Sequence, residues 1–223
     1  MSTGGVPGAR RTGRNLGAAT VVGVLLAAVV LAALFVDVRV FSALVAVAVV
    51  AAITEFAVAL RTAHVGHVPA VALAGAGYIA GCAAFAVLLA DRRPAYVAAV
   101  LAVVVANDVG GYAVGVLVGR HPLAPRVSPK KSWEGLAGSL ATGTAVGVGV
   151  GVLVLDRVWW EAAVGSVLLV MAATAGDLVE SWVKRRIGVK DMSRLLPGHG
   201  GLLDRIDSIL LAMPVAWVLL VLG

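Results

Sequence analysis

Long apolar runs alternate with short charged segments along this sequence, and that alternation limits its fold more than any other feature. The hydrocarbon core of a bilayer is about 30 Å thick, and an α-helix needs about 20 apolar residues to cross it. Seven runs reach or approach that length, covering residues 17–36, 40–60, 69–90, 95–119, 136–155, 162–183 and 208–222. We therefore predict an all-α, polytopic integral membrane protein with about seven transmembrane helices.

Composition excludes the main alternatives. The chain is 61% hydrophobic and 13% charged, whereas a soluble domain is about 25% charged. A single cysteine, Cys82, permits no intramolecular disulfide and no zinc site with two cysteines from one chain. The net charge of +6 is explained by membrane topology and anionic ligands, because no basic face is interleaved with aromatic residues as in nucleic-acid binders.

The basic residues predict the orientation. With a cytoplasmic N-terminus and seven alternating spans, fourteen of the 18 Lys and Arg residues fall on the inner side, as the positive-inside rule requires. We divide the chain into a basic cytoplasmic segment over 1–16, N-terminal helices over 17–94, and a helical region over 95–223 in which we expect the functional site. The two long inner loops, 120–133 and 184–207, carry the chemistry on the cytoplasmic face of the cell membrane.

Several polar residues interrupt the apolar runs: Glu55, Asn107, Asp108, Asp177 and Glu180. Ionisable groups inside a span are costly unless they are paired or face water, so they are functional candidates. For Glu55, alone in its span, a structural role against another helix is at least as reasonable as a catalytic one. After Asn107 and Asp108, the small residues of the segment GGY permit close packing or a helix break.

A cation site is predicted near the end of the sixth span. On a helix, Asp177, Glu180 or Ser181, and Lys184 share one face. Downstream, Asp204 and Asp207 are three apart at the start of the last span and project together, with Arg205 turned away. Converging carboxylates favour a hard cation such as magnesium, although pairing of these acids with neighbouring arginines remains the alternative.

Both inner loops have features of anion sites. Gly200 and Gly201 allow backbone N–H groups to approach a phosphate closely, and His199 beside them is a phosphate donor or a partner of a carboxylate. In the other loop, Ser132 is placed to cap the following helix, next to Lys130 and Lys131. Each loop also reads as a simple turn or a positive anchor, and these interpretations stay open from the residues alone.

Together the motifs resemble the phosphatidate cytidylyltransferase family. The downstream signature consists of Ser181, Lys184, Arg185, Lys190, Asp191, Pro197, His199, Gly200, Gly201, Leu203, Asp204, Arg205 and Asp207. The upstream block consists of Asn107, Asp108, Tyr112, Gly115, Gly119 and the segment SPKKSWEG at 128–135. The resemblance covers about half the chain, from Asn107 to the C-terminus.

This resemblance implies that the chain is a nucleotidyltransferase, which converts CTP and phosphatidate to CDP-diacylglycerol and pyrophosphate in phospholipid biosynthesis. It implies magnesium, in a two-metal site or with a monovalent cation, held by Asp177, Asp204 and Asp207. The catalytic residues are then Asp177, Lys184, Arg185, Lys190, Asp204 and Asp207. The substrate-binding residues are Asn107, Asp108, Ser128, Lys130, Lys131, Ser181, Asp191, His199, Gly200, Gly201 and Arg205.

Other functions remain as alternatives at this stage. A CTP-dependent transferase or kinase acting on another lipid, such as a polyprenol, would use the same signature, and a shortened homologue could be catalytically impaired. A transporter would place acids across the bilayer depth, whereas here they gather near the cytoplasmic ends of the spans. A homodimer is expected from the resemblance, and nucleic acid is not expected as a partner.

Overall fold

The computed structural model describes residues 16–63, 68–193 and 200–222. The predicted basic segment over 1–16 lies outside these ranges apart from Leu16, and so does His199. Within these ranges the chain forms seven helices and one small hairpin. Their bounds are α1 Leu16–Val36, α2 Val38–Thr62, α3 Val68–Arg92, α4 Pro94–Val118, β1 Pro122–Ala124, β2 Ser128–Ser132, α5 Trp133–Leu153, α6 Trp159–Arg186 and α7 Leu203–Trp217, with a wider π-helical turn at Val218–Leu222.

Membrane-spanning length is confirmed for six of the seven predicted runs. Within the described ranges, α2 to α6 and the continuous segment Leu203–Leu222 are long and apolar enough to cross a bilayer. The seventh predicted run coincides with α1, whose stretch Gly23–Val36 is apolar but shorter. The prediction of a polytopic all-α membrane protein is therefore confirmed.

Short polar signals set the turns at the end of the bundle away from the two long loops. Asp37 caps α2 by accepting a hydrogen bond from the backbone N–H of Arg39 at 2.6 Å. Pro94 occupies the first turn of α4, where its missing N–H costs nothing. The guanidinium of Arg93 donates to the carbonyl of Val154 at 2.8 Å, which ties this turn to the end of α5.

Glycines let α4 and α5 pack more extensively than any other pair of helices. A Cβ atom at Gly110 would collide with the side chain of Thr142, and one at Gly138 would lie 2.6 Å from Cβ of Val114. The small residues after Asn107 thus serve close packing, and α4 continues unbroken through them. The glycine-rich stretch 143–151 packs inside the chain too, since Gly147 faces Ser166 and Gly151 faces Ala162.

Two apolar clusters form the core. One joins α3, α4, α6 and α7 around Leu89, Val100 and Val170. The other joins α2, α3 and α7 around Phe56, Leu60 and Leu210, and it includes the buried Cys82. The second cluster reaches Met192 and Leu203, so it holds the start of α7 against α2 where the polar residues of the sequence signature lie.

Candidate functional site

The loop predicted over 120–133 is an antiparallel hairpin, which the sequence analysis did not foresee. Pro122 pairs with Ser132, and Ala124 pairs with Ser128. The predicted cap is confirmed, because Ser132 Oγ accepts a hydrogen bond from the N–H of Gly135 at 3.0 Å. The carboxylate of Glu134 accepts from the backbone N–H groups of the chain entering β1. The hairpin is therefore fixed to the first turn of α5.

The hairpin is also tied to α6. Lys131 Nζ lies 2.5 Å from Asp177 Oδ2. Arg185 Nε donates to the carbonyl oxygen of Val127 at 3.2 Å, in the turn of the hairpin. The two inner loops, separated by more than 50 residues in sequence, thus meet at one end of the bundle, and the predicted catalytic Arg185 contacts protein backbone.

A polar network joins α4, α5 and α6 around the buried side chain of Asn107. Its Nδ2 donates to Asp108 Oδ1 at 2.8 Å, and its Oδ1 accepts from Thr174 Oγ1 at 3.3 Å. Ser139 Oγ donates to the Asn107 carbonyl at 2.8 Å. Ser139 and Thr174 were missed by sequence reasoning, because a single hydroxyl in an apolar helix commonly bonds its own helix and gives no distinct signal.

A cavity of about 280 Å³ opens between this network and the hairpin. The predicted residues that line it are Asn107, Asp108, Lys130, Lys131 and Asp177, together with Ser132. Two glycines of α4 and one of α5 form its floor, so backbone is accessible there. The cavity combines two lysines with acids and hydroxyls, a donor set suited to a phosphorylated polar ligand.

The predicted polar face of α6 is present. Ser181 Oγ donates to Asp177 Oδ1 at 3.2 Å, so Ser181 orients an acid. Lys184 forms an ion pair with Glu180, one turn earlier on the same helix. Lys184 Nζ also donates to Asp204 Oδ1 at 2.8 Å. The ammonium group of Lys184 therefore bridges two carboxylates, one from α6 and one from α7.

Asp204 organises the segment before α7. Its Oδ2 accepts from the backbone N–H groups of Gly201 at 2.7 Å and Met192 at 3.1 Å. The predicted contact of the Gly201 amide with a phosphate stays a prediction, and in this arrangement Asp204 accepts the hydrogen bond from that amide. Gly200 has a φ of +79°, and a Cβ there would lie 2.9 Å from Asp204 Oδ2. Glycine is required at Gly200 for conformation and for space.

A second, polar cavity of about 300 Å³, here called the acid cavity, collects most of the remaining predicted residues. Its lining consists of Asp108, Asp177, Lys184, Asp191, Asp204, Arg205, Asp207 and Ser208. Arg205 was predicted to turn away from the acids, but it lines this cavity with them. Asp207 Oδ1 accepts from the backbone N–H of Ser208 at 2.7 Å, and its carboxylate interacts electrostatically with those of Asp108 and Asp177.

The other predicted residues lie outside this arrangement. Among the described residues that line the two polar cavities, neither Arg185 nor Lys190 is found. Lys190 is exposed in the segment after α6, and Ser128 is half-buried in β2. His199 lies outside the described residues, so its predicted role remains a prediction.

The chemistry of the donors suits magnesium. Within the described ranges, no three His, Cys, Asp or Glu side chains form a ready-made ligand cluster. Magnesium commonly takes only one or two carboxylates, with substrate phosphates and water completing its octahedron. Five carboxylates line the acid cavity, which meets that requirement.

An apolar groove of about 600 Å³ borders the acid cavity between α2, α3, α6 and α7. Its lining includes Phe56, Tyr78, Trp182 and Arg186, and it shares Asp207 with the acid cavity. A hydrocarbon wall and a carboxylate-lined pocket therefore meet at one residue, which suits an amphipathic ligand.

The family model for the cytidylyltransferase family matches residues 67–222. That range contains both loops, both polar cavities and five of the seven described helices, α3 to α7. This chain belongs to the cytidylyltransferase family.

Curated relatives agree with this assignment. The chain is similar to a phosphatidate cytidylyltransferase of Mycobacterium leprae (strain TN), with 57% identity over 119 residues, 53% of this chain and 38% of the relative. A phosphatidate cytidylyltransferase of Mycobacterium bovis is 50% identical over 132 residues, 59% and 43% of the two chains. One of Brucella suis is 44% identical over 117 residues, 52% and 43%. The matches span about two fifths of each relative's length.

One residue beside this candidate site was underestimated from sequence. Glu55 lies in α2, outside the matched range, yet its carboxylate accepts three hydrogen bonds from Ser193, Leu202 and Leu203. The structural role against another helix, one of its two sequence interpretations, is confirmed. The signal was the lone acid in an apolar helix, but its partners could not be read from spacing.

Proposed function

We propose that this chain transfers the cytidylyl group of CTP to phosphatidate, giving CDP-diacylglycerol and pyrophosphate. The observation that carries the proposal is the acid cavity, in which Lys184 lies among the carboxylates of Asp108, Asp177, Asp204 and Asp207. The cavity falls within the residues that match the cytidylyltransferase family. Curated relatives named phosphatidate cytidylyltransferase support the choice of lipid substrate.

The reaction joins two anions. A phosphate oxygen of phosphatidate attacks the α-phosphorus of CTP, the bond from that phosphorus to the β-phosphate oxygen breaks, and pyrophosphate leaves with the bonding electrons. The second pKa of a phosphate monoester is about 6, so the nucleophile is ionised near neutral pH without a general base. The main barrier is charge repulsion, which positively charged groups and fixed positions reduce.

Magnesium is part of the proposal. Asp177, Asp204 and Asp207 would hold it, since all three line the acid cavity. Asp204 accepts hydrogen bonds from Lys184, Gly201 and Met192, which fix its carboxylate at the cavity. When bound, the ion supplies charge neutralisation for the phosphates.

Different residues would bind the two substrates. We place the nucleotide in the 280 Å³ cavity, where Lys130 and Lys131 contact its phosphates and Asn107 is fixed by Thr174. Lys131 pairs with Asp177 at 2.5 Å, so it reaches the boundary between this cavity and the acid cavity. Lys184, held between Glu180 and Asp204, lines the acid cavity, and we assign it to the attacking phosphate.

The lipid would approach laterally from the bilayer, through the apolar groove. We propose that an acyl chain lies in the apolar groove beside Phe56, Tyr78 and Trp182, with the phosphate directed toward Asp207 and the acid cavity. Arg186 lines the same groove and is a suitable partner for the lipid phosphate. The substrate can then stay in the bilayer while its head group reacts in water.

The positive-inside rule supports a cytoplasmic active site. Both inner loops carry Lys and Arg clusters, and the Arg185–Val127 and Lys131–Asp177 contacts bring them to one end of the bundle. We propose the cell membrane as the location, with this end inside. The homodimer expected from the resemblance stays a prediction.

The test is incorporation of labelled CTP into chloroform-soluble lipid by purified protein given phosphatidate and magnesium. We expect product that requires both additions, and a loss of about 100-fold or more in an Asp204→Asn variant. Asp204 would hold the magnesium that neutralises the phosphates, and losing one such electrostatic stabilisation costs about 2.7–4 kcal/mol. Product from a polyprenol phosphate but not from phosphatidate would reassign the lipid. Absence of product from folded protein with either lipid would contradict the proposal.

A further inference from the structure

The carboxylate of Glu55 is buried at the contact between α2 and the start of α7. The residue is 7% exposed and is flanked in α2 by apolar residues, including Phe56 and Ala52 of the second core cluster. A buried carboxylate is costly unless it is hydrogen-bonded. Each contact that satisfies it therefore contributes to fixing the segments that supply the donors.

Among the described residues, three groups donate to Glu55, and they come from residue 193 and from residues 202–203. Glu55 Oε1 accepts from Ser193 Oγ at 2.7 Å and from the N–H of Leu202 at 3.0 Å, and Oε2 accepts from the N–H of Leu203 at 3.0 Å. Leu202 and Leu203 begin α7, where backbone N–H groups lack partners within the helix and the helix dipole favours a negative charge. The Glu55 carboxylate supplies both the hydrogen-bond acceptors and the negative charge.

The same contact fixes the site acids. Asp204 follows Leu203 directly, and Asp207 lies one helical turn after Leu203, so holding the first turn of α7 sets the position of both carboxylates. The contact is close-packed as well, because a Cβ at Gly201 would lie 2.7 Å from Glu55 Oε2. Glu55 is not among the described residues that line the acid cavity, which separates its role from ligand binding.

We propose that Glu55 is a positioning residue, which sets the geometry of Asp204 and Asp207 by anchoring the start of α7. The inference rests on the proposed function for the meaning of those acids. It extends the site to a helix outside residues 67–222, the range matched by the family model.

The test compares Glu55→Gln, Ser193→Ala and the control Thr54→Val in the full chain. A glutamine must turn its NH₂ group toward at least one backbone N–H of α7, whichever way it is oriented. Ser193→Ala removes one of the three donors found among the described residues. Thr54 is the exposed neighbour of Glu55 in α2, and its hydroxyl bonds only to Val50 of the same helix among the described contacts.

Two measurements decide. The first is hydrogen exchange in peptides covering residues 200–208, without nucleotide or lipid. We expect about 10- to 100-fold faster exchange in Glu55→Gln, the equivalent of losing a hydrogen bond to a charged group, a smaller effect in Ser193→Ala, and none in Thr54→Val. Unchanged exchange in Glu55→Gln would overturn the anchoring.

The second measurement is the magnesium dependence of cytidylyl transfer by the folded fraction of each variant. A positioning role predicts that Glu55→Gln raises the magnesium midpoint and lowers kcat together. A lower melting temperature with unchanged midpoint and kcat would overturn it in favour of a purely structural role. If the unaltered chain forms no product, the proposed function fails, and the exchange measurement alone supports or overturns the anchoring.

Discussion

At the scale of single residues, Lys184 is a largely buried cation that bridges two largely buried carboxylates. Its ammonium group lies between Glu180 and Asp204, and the side chains of all three are at most 13% exposed. Removing one partner from a buried ion pair leaves an uncompensated charge, which costs about 3–5 kcal/mol. The same ammonium group is the proposed contact for the attacking phosphate. Lys184 therefore has one role in stability and one in catalysis, and mutation of its partner Glu180 can separate the two.

Lys184→Met should therefore lower both the thermal stability of the purified protein and its cytidylyl-transfer rate. In the double variant Glu180→Gln with Lys184→Met, one unpaired carboxylate is removed, and we expect the melting temperature to recover in large part while activity stays low. Thermal unfolding and rate are measured on the same preparations. Recovery of activity along with stability would show that Lys184 acts only by balancing charge.

At the scale of elements, close helix packing positions the polar network around Asn107. The distance between α4, α5 and α6 is set by glycines, because a Cβ at Gly147 would collide with the hydroxyl of Ser166 and lie 2.6 Å from Ser166 Cβ. Gly149, two residues later on α5, has nothing within 4 Å of its Cβ position. Gly147 and Gly149 are therefore a matched pair for substitution, one packed against a neighbouring helix and one open, within the same helix.

We expect Gly147→Ala to destabilise the protein by about 1–3 kcal/mol, the usual cost of overpacking a filled interface. Gly149→Ala should be neutral or slightly stabilising, since alanine is the better helix former and meets no neighbour. Melting temperatures in one detergent provide the comparison. Equal destabilisation by both substitutions would mean that intrachain packing does not explain the glycine-rich stretch, and would favour a contact between copies of the chain.

At the scale of the whole molecule, the fold places its two charged loops at one end of a helical bundle. The hairpin and the segment between α6 and α7 are joined there by the Arg185–Val127 hydrogen bond and the Lys131–Asp177 ion pair. Arg39, at the start of α2, and Arg157, between α5 and α6, lie at the other end of the bundle. Charge asymmetry of this kind is what orients membrane proteins.

Labelling with a membrane-impermeant maleimide can measure that orientation, because Cys82 is buried and gives a low background. Arg126→Cys, in the exposed turn of the hairpin, should react only when the cytoplasmic face is accessible. Arg39→Cys, exposed at the start of α2, should react from the outside of intact cells. The reverse pattern would place the proposed active site outside.

Local patterns of the sequence were sufficient for the helices and for parts of the site. Run length and hydropathy determine which segments become helices in a membrane, so six predicted spans match described helices. The Ser132 cap and the contacts of Asp177 with Ser181 and Glu180 with Lys184 also follow from spacing within one helix or turn. These interactions join residues at most four apart, and the helix itself fixes their geometry.

The rest was decided by tertiary structure. Asp204 takes the Gly201 amide and Lys184, Asn107 bonds to Thr174, and Glu55 bonds to Leu203, a residue 148 positions away. Sequence spacing cannot give these pairs, because hydropathy determines only that each helix lies in the bilayer. Which faces meet depends on how glycines and small side chains let neighbouring helices approach. The sequence thus determined the helices and the residue types available for chemistry, whereas packing decided which polar side chains form hydrogen bonds and ion pairs with each other.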